Sequence, residues 1–179
     1  MVKRLLLALF FSLVITHSTQ AGFIPNEARI GILKHDVKSR FKHSYEKGYD
    51  INLETLWKTP EYIFFTKIFS PRPHIGASIN TDKGTDQFYL GLTWRLDFFK
   101  YLFIEGTFGG EIHTGRLNKQ TKHKQNLGSR LLFRESISLG YQFLENNSIS
   151  IILDHASNAS LAEKNSGLTN LGLRYGYSF

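Results

Sequence analysis

The sequence predicts an all-β fold, an eight-stranded antiparallel transmembrane β-barrel of the outer-membrane type, and three observations carry that prediction. Apolar residues recur at every second position over stretches of roughly ten residues, the period of a strand with one greasy face. After residue 21 no apolar run approaches the ~20 residues that a spanning helix needs. Strands can then cross a bilayer only in a closed barrel, because each backbone polar group needs a partner inside the hydrocarbon. Finally, the chain ends Tyr175-x-Tyr177-x-Phe179, which resembles the terminal strand by which outer-membrane barrels are recognised for assembly, with aromatics suited to the bilayer interface. The competing class is a soluble secreted β-sandwich, which has the same alternation and differs in which face is wet.

The chain opens MVKRLLLALFFSLVITHSTQAG, with Lys3 and Arg4, an apolar run from Leu5 to Ile15, and small or polar residues to Ala21. That is the order of a secretory signal peptide over residues 1–21. The remainder, 22–179, is of one-domain length, and no linker, repeat array or low-complexity tract divides it. Strands are expected near 27–36, 48–57, 72–81, 85–96, 100–113, 127–143, 148–158 and 168–179, an even number as bacterial barrels require. The stretch EYIFFTKIF (61–69) fits a strand, a short helix or part of a turn.

In the fourth strand Phe88, Leu90, Leu92 and Trp94 share one face, with Tyr89, Gly91, Thr93 and Arg95 on the other. In the fifth, Leu102, Ile104 and Phe108 oppose Glu105, Thr107, Glu111 and His113. In the sixth, Ile137, Leu139, Tyr141 and Phe143 oppose Arg134, Ser136, Ser138 and Gln142. The last strand sets Leu171, Leu173, Tyr175, Tyr177 and Phe179 against Asn170, Gly172, Arg174, Gly176 and Ser178. Inward Arg95, Glu105, Glu111 and Arg134 then read as salt bridges filling a narrow lumen.

With both termini in the periplasm, one set of connections is short and the other longer, polar and external. The external piece 114–126 carries Arg116, Lys119, Lys122, His123 and Lys124, facing the phosphates of lipopolysaccharide. The chain has 22 Lys and Arg against 15 Asp and Glu, a formal charge of +7. Without Lys3 and Arg4 the balance is 20 against 15, or +5. An anionic partner follows, and nucleic acid is not expected for an exported chain.

Cysteine is absent, which excludes a disulfide framework, thiolate catalysis and zinc–thiolate sites. No Gly-rich phosphate loop, His-Glu-x-x-His or calcium-loop pattern occurs, and His35, His43, His74, His113 and His123 are scattered, so no cofactor or metal is expected.

The seventh strand breaks its own rule. Ile149, Ile151, Leu153, His155 and Ser157 are all odd-numbered and share the lipid-facing side. Two polar side chains at i and i+2 on that face can bring an imidazole nitrogen near a hydroxyl, which is unreactive without a base.

The wider string HASNASLAEKNSGLTNLGLRYGYSF (155–179) resembles the C-terminal signature of outer-membrane lipid A 3-O-deacylases, the PagL family: His-x-Ser-Asn-Ala, an Asn closely followed by Gly, and an alternating strand ending in Phe. GSRLLFRESISLGYQF and RPHIGAS fit more loosely. The resemblance implies an outer-membrane hydrolase with a lipid-facing site that removes the ester-linked acyl chain at the 3 position of lipid A. It implies His155 as general base, Ser157 as nucleophile and Asn158 as oxyanion donor, with Asn165 the second motif asparagine. The implied partners are lipid A in lipopolysaccharide, the outer membrane and, through the C-terminal strand, the barrel assembly machinery; a homodimer is left open.

The family's acidic residue lies fourteen positions after the histidine, and here that position is Thr169. In a hairpin pairing Leu153 with Leu171, Thr169 faces His155, so the place fits and the carboxylate is missing. Glu135 on strand six and Glu163 in the following loop are the candidate orienting acids; Asn170 and Asp154 have inward parity. A three-residue turn at 145–147 would pair Phe143 with Ile149 and Glu135 with Ser157. The alternative reading is a small non-enzymatic barrel that binds lipopolysaccharide.

Overall fold

The structure, a computed structural model, describes residues 24–37, 46–61, 68–118 and 124–179. The expected signal peptide, most of 61–69, and His43, Lys119, Lys122 and His123 lie outside the described residues. The eight strands are β1 (Glu27–Lys34), β2 (Tyr49–Leu56), β3 (Arg72–Asn80), β4 (Gln87–Phe98), β5 (Leu102–His113), β6 (Leu131–Leu144), β7 (Asn147–Ser157) and β8 (Leu168–Ser178). They pair in sequence order, and β1 closes on β8 in an antiparallel ladder running from Glu27↔Ser178 to Lys34↔Leu171. Closure leaves no edge strand, as a lipid environment requires.

The two faces are inverted relative to a soluble sandwich. Large apolar side chains such as Ile32, Leu90, Ile137, Ile151 and Leu173 are exposed. The interior instead buries charge: Glu27, Arg29, Glu54, Glu105, Arg134, Asp154 and Arg174. Buried charges are stable only when paired, and these are. Arg29 Nη2 and Arg72 Nη2 each donate to Glu105 Oε1 at 2.7 Å. Arg174 Nη1 reaches Glu54 Oε1 at 2.9 Å, and Arg134 Nη2 reaches Asp154 Oδ2 at 2.6 Å. Glu111 accepts from Gln87, and Arg95 binds Asp97 while lying 3.8 Å above the Phe103 ring. Phe103 has room because residue 140 is glycine; a Cβ there would fall 2.0 Å from the ring. The lumen is packed with side chains, as expected for eight strands.

Aromatics gather at the rim that holds the start of β1 and the end of β8. Tyr101 packs edge-on against Tyr141, and Tyr177 against Phe179, with centroids 5.9 and 5.4 Å apart. At this near rim the connections 99–101 and 145–146 are short, whereas 57–71 is long, so the expected short set has an exception.

The hairpin between β6 and β7 also corrects the sequence reading. Its turn has two residues, Glu145 and Asn146, and the register shifts between Gln142 and Leu144. The shorter turn and the unpaired Phe143 each move the ladder by one residue from that expectation, so Tyr141 faces Ile149, Phe133 faces Ser157, and Glu135 faces His155.

The far rim is held by a buried histidine. His35, just beyond β1, sets Nδ1 2.8 Å from Asp50 Oδ2 and Nε2 3.0 Å from Glu46 Oε2. Both partners are carboxylates, so the ring satisfies both only as the cation. Burial opposes that charge, but the hydrogen bonds to Asp50 and Glu46 outweigh it and raise the pKa to about 9. A raised pKa contributes stability that is complete below the ordinary value of 6.5 and is lost as pH climbs through about 9. The unfolding midpoint in detergent should therefore fall between pH 7 and 10 more steeply for the native chain than for His35→Asn. Equal slopes would show that the ring is not charged.

Candidate active site

The site lies at the far-rim end of β7, where the outward row continues from exposed Ile149, Ile151 and Leu153 to half-buried His155 and Ser157. On one side the β7–β8 ladder places Thr169 opposite His155, and Thr169 Oγ1 lies 2.8 Å from His155 Nδ1. The Thr169 hydroxyl holds Nδ1 in place: it accepts from Nδ1–H in the tautomer whose Nε2 is basic, and donates to Nδ1 in the other. On the other side β6 places exposed Glu135 opposite His155 and Phe133 opposite Ser157. Glu163 stands exposed in the connection between β7 and β8, while Asp154 and Asn170 are buried on the lumen side.

Above the row the chain turns sharply. Ala159 and Ser160 both have positive φ, and Leu161 N bonds back to Asn158 O at 3.0 Å. Asn158 is buried, and its Nδ2 donates to Leu127 O at 2.9 Å and to Lys164 O at 2.6 Å. Its backbone N–H donates to Asn165 Oδ1 at 3.2 Å, which gives Asn165 a loop-holding role. Both hydrogens of the Asn158 amide are thus engaged with carbonyls, and an oxyanion contact from Nδ2 requires that one be given up.

Two glycines complete the frame, and sequence reasoning had not weighed either as part of the site. Gly167 (φ +62°) abuts the imidazole; a Cβ there would lie 2.9 Å from His155 Cε1. The Asn-then-Gly element of the C-terminal string was its signal. Gly128 (φ +75°) would bring a Cβ to 1.8 Å from Lys164 O and 2.7 Å from Asn158 Nδ2. No local pattern marks Gly128, because the atoms it must clear come from a different connection. Gly128→Ala should push the 164 carbonyl and Asn158 apart. We expect a loss of about 10²-fold in any reaction that depends on Asn158 with the heat-dependent gel shift of the folded barrel retained. Unchanged turnover would mean that the loop absorbs the methyl without moving Asn158.

Beside Ser157 lies an apolar cavity of about 440 Å³, lined by Phe108, Gly110, Leu131, Phe133, Asn158 and Leu161 among others. Phe108 and Phe133 stack at 6.1 Å with a 17° interplanar angle. Gly110 leaves this surface open, since a Cβ there would meet only Leu131 Cδ1 at 3.8 Å and Leu132 O at 3.9 Å. The cavity reaches Asn158, which follows Ser157, and Phe133, which faces Ser157 in the ladder, and its apolar lining and its size suit a small greasy ligand such as an acyl chain.

Comparison with known proteins agrees with the barrel fold. Among solved structures the barrel is similar to the outer-membrane enzyme PagL, with TM-score 0.60, 21% identity, and 86% of this chain and 98% of that chain covered. It is also similar to the N-terminal barrel domain of Pseudomonas aeruginosa OprF, with TM-score 0.56, 13% identity, and 87% and 98% covered. At these identities the likenesses show the fold alone. No curated protein gives a significant match. The profile of one family, described as lipid A 3-O-deacylase (PagL), matches residues 43–178, from the far-rim connection after β1 through the whole of β8. With most of the chain matched, including the His155–Ser157 row and its neighbours, this outer-membrane β-barrel belongs to the PagL family of lipid A 3-O-deacylases.

Proposed function

We propose that the chain is a serine-type ester hydrolase that removes the 3-O-linked hydroxyacyl chain of lipid A in the outer leaflet. The observation that carries the reading is the lipid-facing pair His155 and Ser157, with Nδ1 of the histidine held by Thr169 Oγ1 at 2.8 Å. His155 Nε2 takes the proton of Ser157 Oγ as Oγ adds to the ester carbonyl. The tetrahedral intermediate collapses, the sugar oxygen leaves with that proton, and an acyl-enzyme remains. Water, deprotonated by the same nitrogen, hydrolyses it to a 3-hydroxy fatty acid and restores Ser157. As charge develops on the ester oxygen, Asn158 exchanges a carbonyl partner for the oxyanion.

The two tasks of a triad acid are to fix the tautomer and to stabilise the imidazolium. In this reading Thr169 holds Nδ1 and Glu135, facing His155 in the β6–β7 ladder, does the second. Glu163 is the weaker candidate, because it stands in the connection rather than in the ladder. No cofactor enters the scheme. His155, Ser157 and Thr169 come from one chain, so the chemistry asks for no homodimer. Export by a signal peptide removed after Ala21, and assembly of the barrel through its C-terminal strand, place the far rim and its basic residues in the outer leaflet.

Mass spectrometry of lipid A from cells expressing the chain, beside a Ser157→Ala control, tests the reading. Loss of one hydroxyacyl chain that depends on Ser157 supports it. Unchanged lipid A with a folded barrel in the outer membrane would favour a non-enzymatic barrel binding lipopolysaccharide, with Thr169 in place of an acid as the reason. Gly110→Phe should fill the apolar cavity and lower kcat/KM on long acyl chains by about 10-fold or more, leaving short esters little affected. Equal effects on both would place the acyl chain elsewhere.

A further inference from the structure

A single buried carboxylate gathers the far-rim connections. The side chain of Glu46 is fully buried, and its Oε1 accepts from Thr85 Oγ1 at 2.8 Å and from Gln125 N at 2.6 Å. Its Oε2 accepts from Thr85 N at 2.5 Å and faces His35 Nε2 at 3.0 Å. Its own backbone N–H donates to Asp36 Oδ2 at 3.0 Å, and Asp36 N in turn donates to Asn170 Oδ1 at 3.0 Å, next to Thr169. Connections 35–48, 81–86 and 114–130 therefore meet on one group.

The bond to Gln125 leads to the site. Residues 125–127 are buried and are held from the other side by Arg116, whose N–H donates to Gln125 O and whose O accepts from Leu127 N. Two residues beyond the Glu46 contact, Leu127 O accepts Asn158 Nδ2. The neighbouring Asn126 O accepts Ser166 N at 3.3 Å, from the same connection that carries Gly167 against the His155 ring. Burying a carboxylate is unfavourable unless its lone pairs are filled, and apolar contacts would close the rim without that penalty. What the carboxylate supplies is a fixed location for the Gln125 N–H, and hence for the carbonyl that holds Asn158.

We propose that Glu46 is a positioning residue for hydrolysis, acting through the segment 125–127 on Asn158. The inference rests on the reading of Ser157, His155 and Asn158 given above. A carboxylate is required because four donors converge and it is acceptor-only; the amide of a glutamine would turn two N–H groups toward other donors.

The test is a double-mutant cycle of Glu46→Gln with Asn158→Ala, measured on purified refolded barrel with lipid A in mixed micelles. Glu46→Gln should lower kcat by about 10- to 100-fold with KM changed by less than about twofold, and Glu46→Asp should recover part of the loss. In the Asn158→Ala background, Glu46→Gln should add little further loss. Independent, multiplying losses, or a kcat within twofold of the native chain, would overturn the proposal. So would failure of both Glu46 variants to give the heat-dependent gel shift, which would assign Glu46 to folding alone. Activity surviving Ser157→Ala would instead remove the serine-hydrolase reading, so the two failures are distinguishable.

Discussion

In the proposed mechanism Ser157→Ala should lower the rate of lipid A deacylation by on the order of 10⁴- to 10⁶-fold, and His155→Ala should lower it comparably, because a nucleophile and its base act as a unit. The double variant should be little worse than either single one. Both residues sit on the lipid-facing row of β7, half-buried and outside the packed lumen, so neither change opens a cavity in the charged interior. The measurement is release of 3-hydroxy fatty acid from lipid A in mixed micelles, beside the gel shift that reports the folded barrel. A folded Ser157→Ala chain that retained more than about a hundredth of native activity would remove Ser157 as the nucleophile.

Thr169→Val is the second large effect. The β7–β8 register places Thr169 Oγ1 2.8 Å from His155 Nδ1. Valine is nearly isosteric but makes no hydrogen bond, so the ring loses the contact that holds Nδ1 and its orientation. A fall of about 10²- to 10³-fold in kcat follows, smaller than the 10⁴-fold seen when a triad acid itself presents the wrong group. Glu135→Gln tests the other half of the division. It removes the charge facing His155 while keeping the shape, and should reduce kcat by about 10-fold or more and shift the pH–rate profile, because the imidazolium loses stabilisation. Thr169→Glu, restoring the family's carboxylate, should raise kcat and make Glu135→Gln nearly silent. If Glu135→Gln is silent in the native background while Glu163→Gln is not, the orienting acid is Glu163.

Much of this frame is legible in the sequence because the information is local. Parity along each strand decides which side faces lipid, so the exposure of Ile149, Ile151 and Leu153, and the placement of His155 and Ser157 beside them, follow from spacing. The pairing of His155 with Thr169 is readable for the same reason: β7 and β8 form one hairpin, and matching Leu153 with Leu171 sets every other partner. The pairing of Glu135 is not. The unpaired residue near Phe143 and the two-residue turn at 145–146 moved the expected partner from Ser157 to His155, and the turn residues do not announce a bulge.

Contacts between connections remained hidden altogether. Asn158 reads as a simple amide donor in the motif, yet its Nδ2 hydrogens lie on carbonyls of residues 31 and 6 positions away. Glu46 lies on no motif, and its bond to Gln125 spans 79 residues. By itself the sequence determined the barrel, the wet and greasy faces and the His155–Ser157 row, because alternation and hairpin pairing are short-range rules. Tertiary structure decided which acid faces the histidine, what holds Asn158 and what ties the far rim together. Those depend on bulges and on closure of the sheet, which bring distant loop residues within hydrogen-bonding distance without leaving a periodic trace in the chain.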